Sequence, residues 1–220
     1  MGTISVNKLG GLALIIGPIV TVICYFIQPG GAIIDAADPA DAIASITAMI
    51  SNSGLTQLTG IVIPLGLIVF LFGIYTLQAQ IRSGGSGDAL SRLGALLLTL
   101  GVVGWVIGSG LSTAIGGLDL ATQAQAVGGP LYAASSGIGT IAAITAGLGF
   151  LTFGLAVSTR DDQNKIAALV AALAGAVVGI AAVVGGLDST QLELMTTVSG
   201  ICFIVLTVWG VLLGLKLRNE

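Results

Sequence analysis

Polar residues are sparse along this chain and fall at intervals, leaving six apolar runs at about residues 9–28, 55–77, 93–115, 131–157, 166–184 and 195–215. At about 1.5 Å of rise per residue, a helical run of this length matches a hydrocarbon core of roughly 30 Å. The pattern therefore predicts an all-α integral membrane protein, a single six-helix transmembrane bundle over residues 1–220 with both termini on one side. The first run lacks a strongly basic leader and a small-residue cleavage site, so it is expected as a retained helix.

The intervals carry their own signals. Asp38-Pro39-Ala40-Asp41 reads as an N-cap, a proline at the first helical position and an acid two residues later, and Ile43, Ile46 and Ile50 follow at helical spacing. An amphipathic helix over about 38–50, lying along the membrane surface or over the bundle, is expected there. Asp88 is placed to cap the third span, and Asp188-Ser189-Thr190-Gln191 reads as the cap of the sixth.

The runs resemble one another. A basic or amide residue opens the first, third and fifth, and each closes on paired glycines followed by an acid: Gly30-Gly31 with Asp35, Gly116-Gly117 with Asp119, and Gly185-Gly186 with Asp188. The second and fourth share a Gly-to-Gly spacing, Gly66 to Gly73 and Gly147 to Gly154. Three tandem helical hairpins, related by a pseudo-threefold axis along the membrane normal, are the economical reading.

Composition sharpens the assignment. Apolar residues make up 55% of the chain and charged residues 8%, with a mean hydropathy of +1.07, which excludes an ordinary soluble domain. The net charge of −3 matters less than where the charges fall. Lys8, Arg82, Arg92, Arg160, Lys165, Lys216 and Arg218, all seven basic residues, lie at the end of the spans that holds the termini. By the positive-inside rule the termini are expected in the cytoplasm of a cell whose plasma membrane holds the protein, with Asp35, Asp38, Asp41, Asp119, Asp188 and Glu193 facing outward.

Glycine occurs 34 times. Gly104 and Gly108, Gly175 and Gly179, and Gly210 and Gly214 form G-x-x-x-G pairs, which let helix backbones approach closely in lipid. These are the helix-packing residues, either within the bundle or against another subunit. Because small residues cluster on the third and fifth spans, those two are expected at the centre, and Gly11, near a span end, is expected to tolerate enlargement better than Gly104 or Gly175.

The chemistry is meagre. No Asp, Glu, Lys or Arg stands in the central part of a span and the chain has no histidine, which argues against proton pumps, ion-coupled antiporters and Schiff-base photoreceptors. Nucleophile triads, zinc sites and phosphate loops lack their residues, and no basic patch suits nucleic acid. The hydroxyls of Tyr75, Thr21, Thr99, Ser109, Ser112, Ser135, Ser136, Thr140, Thr145, Thr152 and Ser199 are expected to bond back to their own helical turns instead of lining a pore. Under threefold symmetry Asp35, Asp119 and Asp188 converge on one rim, where carboxylates suit a hard divalent cation; the plainer expectation is that each caps the helix or turn that follows. Trp209, about two turns before Lys216, is expected in the aromatic belt.

The chain is thus expected to be non-catalytic and free of cofactors. The bilayer and other membrane-protein subunits, or further copies of itself, are its expected partners. An accessory or structural subunit of a larger membrane complex is the leading functional expectation, with a facilitator or small channel for a neutral or apolar solute as the alternative.

Overall fold

A computed structural model describes residues 4–84 and 87–219, with the side chains of residues 83 and 84 left out. It contains seven α-helices: α1 (Val6–Ile27), α2 (Ala42–Ser51), α3 (Ser53–Gly84), α4 (Asp88–Gly116), α5 (Gly129–Ser158), α6 (Lys165–Leu187) and α7 (Leu192–Asn219). A π-helical turn at Ala124–Gly128 leads into α5, and a 3₁₀ turn at Ser189–Gln191 into α7. All but α2 are long and apolar enough to cross a membrane. The chain is a multi-pass helical bundle.

Several ends differ from the sequence reading. Asp41, not Asp38, caps α2, its carboxylate accepting from the Ala44 N–H at 2.9 Å, while Asp38 accepts from Ala40 N–H at 2.8 Å and so forms a turn of its own. Gly87, at φ +81°, precedes α4 in place of the expected Asp88 cap. That backbone angle favours glycine, and it releases Asp88 to pair with Arg92 at 2.8 Å. Residues 85 and 86 of the expected flexible linker lie outside the described residues. Asn164 caps α6 by accepting from the Ala167 N–H.

The six long helices form a ring. Each packs on two neighbours in the order α1, α3, α4, α5, α6, α7 and back to α1. The third and fifth spans, α4 and α6, are therefore not central, as their small residues had suggested. Those residues serve pairwise close approach, while the opposite sides carry exposed bulk, Leu93, Leu96 and Leu100 on α4 and Ile166, Leu173 and Ile180 on α6. Such faces suit lipid.

Every G-x-x-x-G glycine faces a helix of the same chain. A Cβ built on Gly104 would stand 2.7 Å from the Ala142 Cβ, one on Gly175 would stand 2.5 Å from the Phe150 Cβ, and one on Gly214 would stand 2.5 Å from the Gly11 carbonyl oxygen. Gly108, Gly179 and Gly210 are roomier, with first contacts at 3.5 Å to Ser135, 3.8 Å to Ile144 and 3.3 Å to Leu14. Gly11 is as tight as any, 2.6 Å from the Gly214 carbonyl and 2.8 Å from the Arg218 nitrogen, so its place near a span end gives it no slack. The end nearer the termini is where α1 and α7 press closest.

The repeated motifs of the second and fourth spans pack in opposite senses. Gly66 and Gly73 of α3 meet Gly17 and Gly10 of α1, one step back around the ring, whereas Gly147 and Gly154 of α5 meet α6 at Gly175, Gly179, Ala168 and Ala172, one step forward. A rotation about the membrane normal preserves that sense, so these motifs do not themselves carry a threefold relation.

Aromatic rings fill the middle. Phe70 of α3 lies 6.0 Å from Phe150 of α5, and Phe153 of α5 lies 6.5 Å from Trp209 of α7, both pairs bridging helices that are not ring neighbours. Trp209 is 4% exposed, so it is a plug residue and not part of an interfacial belt. With Ile74, Leu77, Ile81, Leu213 and Leu217 it seals the half of the ring nearer the termini.

Candidate functional site

The other half of the ring is hollow. A chamber of about 230 Å³ runs from Phe70, Phe150 and Leu206 at mid-depth to Gln28 at the end of α1, and a second of about 310 Å³ lies between α5, α6 and α7 and reaches Pro39 in the loop before α2. Both share Tyr25, Trp105, Gly139 and Phe203 as a common wall. Neither is lined by a charged side chain.

Helical spacing builds the walls. Thr21 and Tyr25 stand four apart on α1 with Gln28 just past its end, Trp105, Ser109 and Ser112 recur at steps of four and three on α4, and Ser199, Phe203 and Thr207 recur at steps of four on α7. Each set forms one stripe, and the ring turns all three stripes inward onto the chambers. Phe203 stands edge-to-face against Trp105 at 5.7 Å and Tyr25 at 5.9 Å, an arrangement that suits the quadrupoles of aromatic rings.

The hydroxyls divide sharply. Thr59, Thr76, Thr99, Thr113, Thr140, Thr145 and Thr152 donate to the carbonyl one turn back, as expected. Thr21, Tyr25, Ser109, Ser112 and Thr207 in the first chamber, and Ser136, Thr196 and Ser199 in the second, have no hydrogen-bond partner among the described residues. The Thr21 hydroxyl is buried as well as unbonded. The expectation of back-bonding therefore fails for Thr21, Ser109, Ser112, Ser135, Ser136 and Ser199, all on a chamber wall. Ser135 instead bonds across to the Gly108 carbonyl at 3.1 Å and joins α5 to α4.

A strap covers the α4–α5 side of the loop end. Ile46 and Met49 of α2 pack over Ile115 of α4, and the Tyr132 hydroxyl of α5 reaches the Pro39 carbonyl at 2.9 Å and the Ser45 hydroxyl at 3.1 Å. The three acids considered for a cation site are used locally. Asp119 accepts from the Ala121 and Thr122 N–H groups, Asp188 from the N–H and hydroxyl of Thr190, and Asp35, at φ +43°, from the Asn52 amide at 2.6 Å. Among the described residues no three His, Cys, Asp or Glu side chains gather as a metal site would require.

Among the described residues the ion pairs lie at the opposite end of the ring. Asp162 in the α5–α6 turn meets Arg160 at 2.9 Å and Lys216 of α7 at 3.6 Å, and Lys216 also donates to the Asp162 carbonyl. The Arg160 hydrogen bond, with the nearby Lys216 and Arg160 charges, holds the Asp162 carboxyl below its ordinary value against a smaller effect of burial.

Fold and chambers together define a multi-pass helical membrane protein with a charge-free, hydroxyl-lined cavity. No protein-family model matches the chain, and neither the curated proteins nor the solved structures contain a match.

Proposed function

We propose that the chain is a non-catalytic facilitator in the cell membrane, with cytoplasmic termini, that admits small neutral hydrogen-bonding solutes to the chambers from the loop side. One observation supports this most: the described Ser, Thr and Tyr hydroxyls of the long helices that lack a protein partner all line the chambers. In apolar surroundings a buried, unbonded hydroxyl such as that of Thr21 costs about 1–3 kcal/mol, so water or a solute is needed to partner it, and the other unbonded hydroxyls open onto the same chambers. Hydroxyls both donate and accept, which favours solutes carrying hydroxyl or amide groups. Ions find no countercharge there to offset lost hydration. Passage requires the plug of Phe153, Trp209, Leu213 and Leu217 to part, so the ring described is closed toward the termini.

Proteoliposomes given an osmotic step with urea or glycerol should re-swell faster than protein-free vesicles, with no gain for potassium chloride, as read by stopped-flow light scattering. Rates equal to protein-free vesicles for every neutral solute would sink the reading. An accessory-subunit role rests on the missing ionisable groups, the short loops and the close-packing glycine faces; only the last of these is weakened, because those faces pack on the chain's own helices. Co-migration with larger partners after native purification in mild detergent would restore that role.

A further inference from the structure

The wall between the chambers is built from unlike parts. Phe203 is the ring that touches both other aromatics of the wall, Trp105 and Tyr25, and it is only partly buried. Gly139 of α5 contributes to the same wall with no side chain, and a Cβ built on it would meet nothing within 4 Å. Many glycines of this ring are small because another backbone presses on them. Gly139 is not explained that way, since the space beside it belongs to the chambers.

We infer that a passage joins the two chambers across the wall they share, and that Phe203 and Gly139, an aromatic ring and an absent side chain on that wall, form the size filter of the facilitator proposed above. Unpartnered hydroxyls stand on both sides, Ser109, Ser112 and Thr207 in the first chamber and Ser136, Thr196 and Ser199 in the second. A solute exchanging between them keeps hydrogen-bonding partners before and after the constriction and gives them up only beside the rings. The aromatic faces offer apolar contact there, which suits a molecule with a carbon skeleton and hydroxyl or amide groups, such as a short polyol. Because the filter is set by side-chain size on rigid helices, shortening Phe203 should widen it and adding bulk at Gly139 should narrow it.

The inference rests on the facilitator reading, and the two separate experimentally. Reconstituted wild type, F203A, G139L and I180A, the last altered on the exposed face of α6, are compared by stopped-flow light scattering with urea, glycerol and sorbitol. The expected result is that F203A raises the sorbitol-to-urea permeability ratio by roughly tenfold or more, the scale on which a few methylene-sized groups discriminate in a pocket. G139L should slow glycerol and sorbitol by a similar factor, and I180A should match wild type. If F203A does not survive purification, G139L, which grows into open space, decides the matter. Wild-type flux above protein-free vesicles with unchanged selectivity in F203A and G139L overturns the filter alone; wild-type flux equal to protein-free vesicles overturns the facilitator reading and the filter with it.

Discussion

A single methyl group separates a tolerated contact from a forced one where these helices meet. Gly175 and Gly179 lie one turn apart on α6 and belong to one motif, yet an added Cβ meets Phe150 at 2.5 Å at the first and nothing closer than 3.8 Å at the second. Gly175→Ala should therefore lower thermal stability in detergent while Gly179→Ala leaves it nearly unchanged. Leucine at position 104 or 175 should cost about 1–3 kcal/mol by overpacking, and Gly11→Leu belongs to the same class. Equal melting temperatures for the two alanine variants would show that the α5–α6 contact is looser than its geometry. The motif was legible from spacing; which glycine of a pair is crowded was not, because it depends on where each Cβ would point across the crossing: Gly147 lies against the backbone of both Gly175 and Gly179, yet only the Cβ of Gly175 would run into α5.

The strap and the α5–α6 turn are elements whose stability comes from a few polar contacts. Tyr132→Phe removes the hydroxyl that reaches Pro39 and Ser45, a loss of about 1 kcal/mol for a typical hydrogen bond. Faster amide exchange in α2, with the long helices unchanged, would report the loosened strap; unchanged exchange would show that Ile46 and Met49 alone hold it. At the other end, Asp162 has a lowered folded pKa, so its contribution is present above the ordinary carboxylate range and is lost as pH falls through that lowered value. Wild type should lose melting temperature over that acid interval more steeply than D162N. The difference should be small, since an exposed ion pair contributes little. The existence of α2 was legible from Ile43, Ile46 and Ile50; its cap was misplaced because Asp38 and Asp41 both fit the pattern, and the path of the loop decided between them.

The whole molecule presents a split of charge that orientation must obey. Seven basic residues at one end and none in the opposite loops are the ground for proposing cytoplasmic termini, so reporter fusions after Asp41 and after the C-terminus should report opposite sides; same-side reports would refute it. Six apolar runs, their approximate limits and the up-and-down course of the chain follow from the sequence by itself, because a span must satisfy its backbone hydrogen bonds internally and is therefore specified locally. The stripes Thr21-Tyr25-Gln28, Trp105-Ser109-Ser112 and Ser199-Phe203-Thr207 were present in it too, but a stripe on one helix does not say whether it faces lipid, a neighbour or a cavity. Only tertiary structure arranged the helices as a ring with no central member, sent Trp209 inward as a plug and gathered the unpartnered hydroxyls around one hollow. The reason is that each helix of a bundle must choose its neighbours, and between apolar faces in lipid that choice rests on shape, on where glycine meets backbone and where an aromatic ring finds room.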